Sequence, residues 1–238
     1  MFTTNPQAQP GIQGPYTSQP RDVWYSNAQF GQFISPPVII DGTLSSNPLN
    51  VGTPGGPGDF RWLLWAGMPM GRITATNKYR NSIIGLTTGS TTSTTVTAST
   101  ATVSEVARLI GIAGGPVSLT IVGPPTVAGT VASATVSATA ASGTSITLAS
   151  NSTTYITGSL LMPADGSQTI LGILADDQNV ALINDVFDRI DAQTNRIAYA
   201  GGTLNTAMIP NYPTDTSLIT WIQGQIGTAF AYSTKQVA

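Results

Sequence analysis

Ala132-Ser-Ala-Thr-Val-Ser-Ala-Thr139 is the stretch on which the fold turns. Ala132, Ala134, Val136 and Ala138 alternate with Ser133, Thr135, Ser137 and Thr139. A two-residue period sends apolar side chains to one face of a strand and hydroxyls to the other. Val117, Leu119 and Ile121 show the same alternation upstream, and Ser145 to Leu148 repeats it downstream. Gly123-Pro-Pro125 and Ser142-Gly143 punctuate these runs as turns. The segment therefore predicts a small β module with Ala- and Thr-rich strands.

From Thr87 to Ser104, thirteen of eighteen residues are Thr or Ser, a sharp break from the flanking sequence. A short helix is expected next, with Val103, Val106, Ala107 and Ile110 on one face and Ser104 or Thr102 as cap. Residues 87–162 thus read as an inserted module, with no fixed-period repeat of the solenoid kind. Around it, residues 60–86 and 163–238 form a second zone that holds most of the charge. Leu63-Leu64-Trp65, Arg72-Ile-Thr-Ala-Thr76, Thr169-Ile-Leu-Gly-Ile-Leu174 and Arg196-Ile-Ala-Tyr-Ala200 predict strands there. Leu218, Ile222 and Ile226 recur every four residues beside Trp221, which predicts a helix capped by Asp215 or Thr216 and stopped at Gly227.

Residues 1–59 make a third zone, with nine of the sixteen prolines and only Arg21, Asp22, Asp41 and Asp59 charged. Proline lacks an N–H and biases its predecessor towards extended geometry, so neither a helix nor a central strand is expected. The zone reads as an extended arm, with a freely moving tail as the alternative for such a composition. Fixing its backbone costs roughly 60–120 kcal/mol. Burying Trp24, Tyr25, Phe30 and Phe33 returns only about 15–25 kcal/mol. An ordered arm therefore needs main-chain hydrogen bonds and a neighbouring surface. Those four aromatics are the candidate anchors, unless the protein's own core takes them. Val38, Ile39 and Ile40 could extend an exposed sheet edge on a partner.

Composition narrows the chemistry. The 238 residues include no His and no Cys, and only 8% are charged. Absent Cys excludes disulfides and thiolate chemistry, and absent His excludes triads of the Ser-His-Asp type. A net charge of −2 without a basic cluster lacks the footprint of a nucleic-acid binder. No apolar stretch after Met1 suggests a secretory signal, and the uncharged span Leu109 to Ala164 is too polar for a membrane helix. A product made in a cytoplasm, with no membrane partner, is expected.

The acidic run Asp176-Asp177, Asp185, Asp188, Asp191 is the one carboxylate cluster in the sequence. A helix would put Asp185 and Asp188 on one face, where a Ca²⁺ site or an acid pair is conceivable. Its spacing misses the EF-hand pattern, so caps and solvated turns are the expected role, with no metal and no cofactor. Gly111-Ile-Ala-Gly-Gly115 lacks the Gly-Lys-Ser/Thr of a phosphate loop, and Lys78 and Lys235 sit in no Ser–Lys motif. Arg72, Lys78 and Arg80 form the densest basic group, either polar contacts to an acidic partner or a solvated strand end.

Three segments resemble the head decoration proteins of tailed phages, the family of the lambda capsid-stabilising protein. They are Ala66-Gly-Met-Pro-Met-Gly-Arg-Ile-Thr-Ala-Thr-Asn-Lys-Tyr79, Asp165-Gly-Ser-Gln-Thr-Ile-Leu-Gly-Ile-Leu-Ala175 and Tyr199-Ala-Gly-Gly-Thr-Leu-Asn205. The module at 87–162 interrupts the family's core, and the arm is longer than a minimal member needs. The resemblance implies a compact β-rich subunit, so the expected fold is mainly β: that core with one or two short helices, together with the inserted module and the arm read from the residues. It implies a non-enzymatic virion protein that forms homotrimers on the outer capsid surface and clamps the major capsid protein against internal pressure. A tail-fibre or adhesin-like module that binds surface glycan through residues 87–162 is the alternative.

Overall fold

The computed structural model describes residues 36–48, 61–89, 93–123, 131–150, 155–183, 187–194, 197–198, 203–205, 211–226 and 231–233, some of them by backbone alone. In chain order the first elements are β1 (Val38–Ile40), β2 (Leu63–Leu64), β3 (Pro69–Arg72), β4 (Tyr79–Asn81), β5 (Gly85–Leu86) and β6 (Thr95–Thr97). Helix α1 (Thr100–Ala113) precedes β7 (Val117–Gly123), β8 (Ala132–Ser142), β9 (Ser145–Leu148) and β10 (Leu160–Pro163). Then come β11 (Ile170–Leu174), β12 (Gln178–Asn179), β13 (Ala181–Ile183), β14 (Phe187–Arg189), β15 (Ala192–Thr194) and β16 (Ile197–Ala198). The last elements are β17 (Thr203–Asn205), α2 (Thr216–Ile226) and β18 (Ala231–Ser233). The fold is mainly β.

Two six-stranded sheets carry the architecture. The first runs β15-β1-β4-β3-β11-β16 and the second β5-β10-β7-β8-β9-β6. Pairs β12-β2, β13-β14 and the parallel β17-β18 form smaller sheets. The alternating runs become the centre of the second sheet: β7 pairs β8 antiparallel from Val117↔Ala138 to Gly123↔Ala132. Leu119, Ile121, Val136, Ala138, Ile146 and Leu148 all face one core with Val103, Val106 and Leu109 of α1.

Helix α1 begins one turn earlier than the sequence suggests. Ser99, in an extended conformation, accepts the Thr102 N–H at 3.2 Å, so Ser99 is the cap and Thr102 lies inside the helix. Its buried stripe is Thr102, Val103, Glu105, Val106 and Leu109; the expected Ala107 and Ile110 are only half-buried. Gly114 ends the helix at φ 65°, a left-handed turn that suits glycine. For α2, Asp215 Oδ1 accepts the N–H groups of Ser217 at 2.8 Å and Leu218 at 3.1 Å. Leu218, Ile222 and Ile226 are buried, in one core with Ile170 and Ile173 of β11 and Leu160 and Met162 of β10.

A β-bulge sets the face of β11. Ile170 and Ile173 are three residues apart and would point to opposite sides of a regular strand. The register against β3 shifts between Ile170 and Gly172, which turns both isoleucines to the same core and leaves Leu171 36% exposed. Leu174 then faces the other side, with Ile40, Trp62, Leu64, Met68, Met70 and Tyr79. Strand β11 therefore packs against apolar clusters on both faces of the first sheet.

The stretch Arg72 to Thr76 is not one strand. Strand β3 ends at Arg72 and a turn follows, closed by Asn77 N–H to Ile73 O at 2.9 Å and by Ile73 N–H to Lys78 O at 2.8 Å. Asn77 holds φ 59°, a conformation its short polar side chain tolerates. The chain returns as β4 (Met70↔Asn81, Arg72↔Tyr79).

Strand β1 also departs from expectation. Within the zone 1–59 read as an arm, Val38–Ile40 lies inside the first sheet, antiparallel to β15 and parallel to β4. Pro36 and Pro37 block pairing only before Val38; the next three residues keep their N–H groups, and Ile40 is fully buried. Val38 is half-buried and Ile39 46% exposed. This strand is already paired on both sides and is not free to extend a partner's sheet. Trp24, Tyr25, Phe30 and Phe33 lie outside the described residues.

Candidate functional site

The basic group Arg72, Lys78 and Arg80 separates into three environments, because successive residues of a hairpin face different ways. Arg72 is exposed at the end of β3. Lys78 Nζ lies 2.7 Å from Asp191 Oδ2 and 3.8 Å from Asp41 Oδ2. The same carboxylates accept main-chain N–H groups: Gly42 to Asp191 at 3.1 Å and Leu44 to Asp41 at 2.7 Å. Lys78 thus ties the end of β1 to the start of β15. Its hydrogen bond to Asp191 raises Lys78 above its ordinary value and holds Asp191 below the usual carboxylate range. Gly42 is required there, since a Cβ would run into the Ile190 carbonyl.

Arg80 is 2% exposed, which corrects the expectation of a surface contact. The strand alternation turns it inward, where its Nη1 donates to Asp165 Oδ2 at 3.1 Å. Asp165 is held from its other oxygen by the Ser167 N–H at 3.0 Å and the Ser167 hydroxyl at 2.5 Å. Thr74 N–H donates to the Asp165 carbonyl at 2.9 Å, so the loop before β11 locks onto the β3–β4 turn. Gly166 at φ 104° and Gly71 permit this approach, because a Cβ on either would strike Thr74 or Ser167. Burial pulls the Arg80 guanidinium below its ordinary value, while Asp165 and Glu105 act in the opposite direction.

Glu105, on the inner face of α1, is fully buried. Arg108 grips it with two bonds, Nε to Oε2 at 2.9 Å and Nη2 to Oε1 at 2.6 Å. Arg61 Nη1 stands 3.9 Å from Oε2. Arg108 continues to the carbonyls of Thr43 at 2.7 Å and Leu44 at 3.2 Å. The loop after β1 is therefore bound to α1 of the second sheet by charge-assisted bonds. No sequence motif announces this cluster; the only signal is a Glu105–Arg108 pair on a helix otherwise free of charge.

Asp176, Asp177, Asp188 and Asp191 do not converge on a helix. Asp188 lies on β14 opposite Leu182 of β13, and Asp177 Oδ1 accepts the Ala66 N–H at 2.7 Å. Asp185 lies outside the described residues. Among the described residues, no three acidic side chains gather as a metal site. Among them, too, no helix is long and apolar enough to cross a membrane.

What remains open on the second sheet is a hydroxyl-rich surface. Ser133, Thr135 and Thr139 of β8, Thr147 of β9 and Ser118 of β7 are exposed. No charged residue occurs between Arg108 and Asp165, so this face carries no charge of its own. Both sheets end in strands of only two or three residues (β5, β6, β15 and β16), which offer little edge for added strands. No family model, curated protein or solved structure matches this chain.

Proposed function

We propose that this chain is a non-enzymatic structural protein of a phage virion, a decoration protein that binds the outer surface of the major capsid protein shell as a homotrimer. The observation that carries the reading is the convergence of two of the resembling segments. Ala66–Tyr79 supplies β3 and the turn into β4, and Asp165–Ala175 supplies β11, the strand paired with β3 (Gly71↔Ile170). Segments more than eighty residues apart in sequence thus form one continuous sheet, locked by Arg80 and Asp165. The third segment, Tyr199–Asn205, follows β16 in sequence but adds no described strand to this sheet: its strand β17 pairs β18.

The mechanism is additive. Each copy bridges neighbouring capsid subunits through modest contacts, and linked sites gain from high effective concentration. The uncharged hydroxyl face of the second sheet suits contacts without ion pairs, so binding should change little between low and moderate salt. Trp24, Tyr25, Phe30 and Phe33 are the proposed arm anchors, since buried aromatics dominate interface energetics.

Co-sedimentation with expanded empty heads tests the reading. The chain should bind saturably, and replacing the four aromatics by Ala should weaken binding while the body stays folded. Failure to bind heads, with glycan-array binding by the chain in its place, would replace this reading with the adhesin one.

A further inference from the structure

Arg80 leaves two of its three guanidinium nitrogens unused. Nη1 meets Asp165, but Nε and Nη2 are buried without any hydrogen-bond partner. Ser82 is fully buried as well, and its hydroxyl is also unpaired. The ladder continues past Asn81, with Ser82 N–H donating to Pro69 O at 2.8 Å. Strand alternation therefore puts the Ser82 side chain on the same side of the sheet as Arg80.

Buried donors of a cation are costly when unmade, and native proteins satisfy such groups with ordered water or an ion. Neither neighbouring carboxylate bonds to them. Both oxygens of Glu105 are taken by Arg108, and Asp165 divides its oxygens between Arg80 and Ser167. The charge of Arg108 acts against that of Arg80. What is exposed to any occupant is the Nε–Nη2 edge, the side of the guanidinium whose parallel N–H groups bind anions in fork geometry. Both atoms are shielded from solvent, so the occupant is small.

We propose that Arg80 Nε and Nη2, with the Ser82 hydroxyl, hold a small inorganic anion of halide size at the inner face of β4. Its role is to complete the charge balance of the Arg80–Asp165 lock that joins the β3–β4 hairpin to the loop before β11. Arg80 presents donors alone and the Ser82 hydroxyl can turn its proton towards an anion, whereas a water there must also find acceptors for its own two protons. The inference is independent of the capsid reading.

The test is thermal unfolding of the full chain in sodium chloride against sodium gluconate at equal ionic strength, which holds screening constant. Chloride at about a hundred times its dissociation constant should raise the midpoint by about 5–10 °C and saturate. Ser82→Ala should weaken that response, and Arg80→Met should abolish it. Should Arg80→Met fail to fold, bromide-soaked crystals of the unaltered chain decide: an anomalous peak is expected within about 3.5 Å of Arg80 Nε. Equal midpoints in chloride and gluconate, or no bromide peak at Arg80, would overturn the proposal.

Discussion

Replacing Glu105 by Ala is the most revealing single perturbation of the joint between the two sheets. The carboxylate is fully buried, receives two bonds from Arg108 at 2.9 and 2.6 Å, and faces Arg61 at 3.9 Å. Removing it leaves these cations without their shared counter-charge in a water-poor site. Breaking one partner out of a buried pair costs about 3–5 kcal/mol. For a chain of this size each kcal/mol moves the thermal midpoint by roughly 2–4 °C, so Glu105→Ala should lower it by about 6–20 °C. Glu105→Leu combined with Arg108→Met removes both charges and keeps the volume, and should recover much of the loss. Circular dichroism melting of the three proteins reads the result. A drop below about 2 °C for Glu105→Ala would refute the claim that this carboxylate organises the arginines.

Three further outcomes follow from the same geometry. Asp215→Ala removes the acceptor of two N–H groups at the start of α2 and should cost about 0.5–2 kcal/mol in urea unfolding; no change would mean the cap is not formed. Gly71→Ala should destabilise the chain strongly, with loss of soluble folded protein, because its Cβ meets the Ser167 carbonyl; a variant as stable as the parent would exclude the close β3–β11 approach. The Lys78–Asp191 tie has a defined pH window. Asp191 is held below its ordinary value, so its contribution is present at neutral pH and is lost as pH falls through its folded value, below about 4. Lys78 is raised, so its contribution is lost as pH rises through a folded value above 10.5. Asp191→Asn should flatten the acid limb of the stability profile, and an unchanged limb would count against the tie.

The parts of the fold legible in the sequence are those set by local period. Ala132 to Thr139 and Val117 to Ile121 alternate strictly, and they become β8 and β7 with Val136, Ala138, Leu119 and Ile121 inward, while Ala132 is exposed and Ala134 and Val117 are half-buried. Leu218, Ile222 and Ile226 recur at helical spacing and become the buried stripe of α2. What stayed hidden depends on partners distant along the chain. Pro36 and Pro37 argue against a strand, yet Val38–Ile40 pairs with residues about 40 and 155 positions away, and the Asp41–Lys78–Asp191 tie secures its end. Arg80 reads as a surface cation until β4 turns it towards Asp165. The spacing of Ile170 and Ile173 gives no sign of the bulge that brings them to one face.

The hydroxyl face shows a different limit. Composition makes the absence of charge between Arg108 and Asp165 plain, and alternation says which residues share a side. Their exposure depends on where the first sheet and α2 stop covering the second. Val122, Leu160 and Met162 belong to that covered part, while Thr135, Thr139 and Thr147 remain outside it.

The virion reading is tested most directly by electron cryomicroscopy of heads with and without the chain. The difference density should form three-fold clusters on the outer shell, each spanning the junction between neighbouring capsid subunits. Difference density confined to the tail or its fibres, or none on the particle, would contradict it.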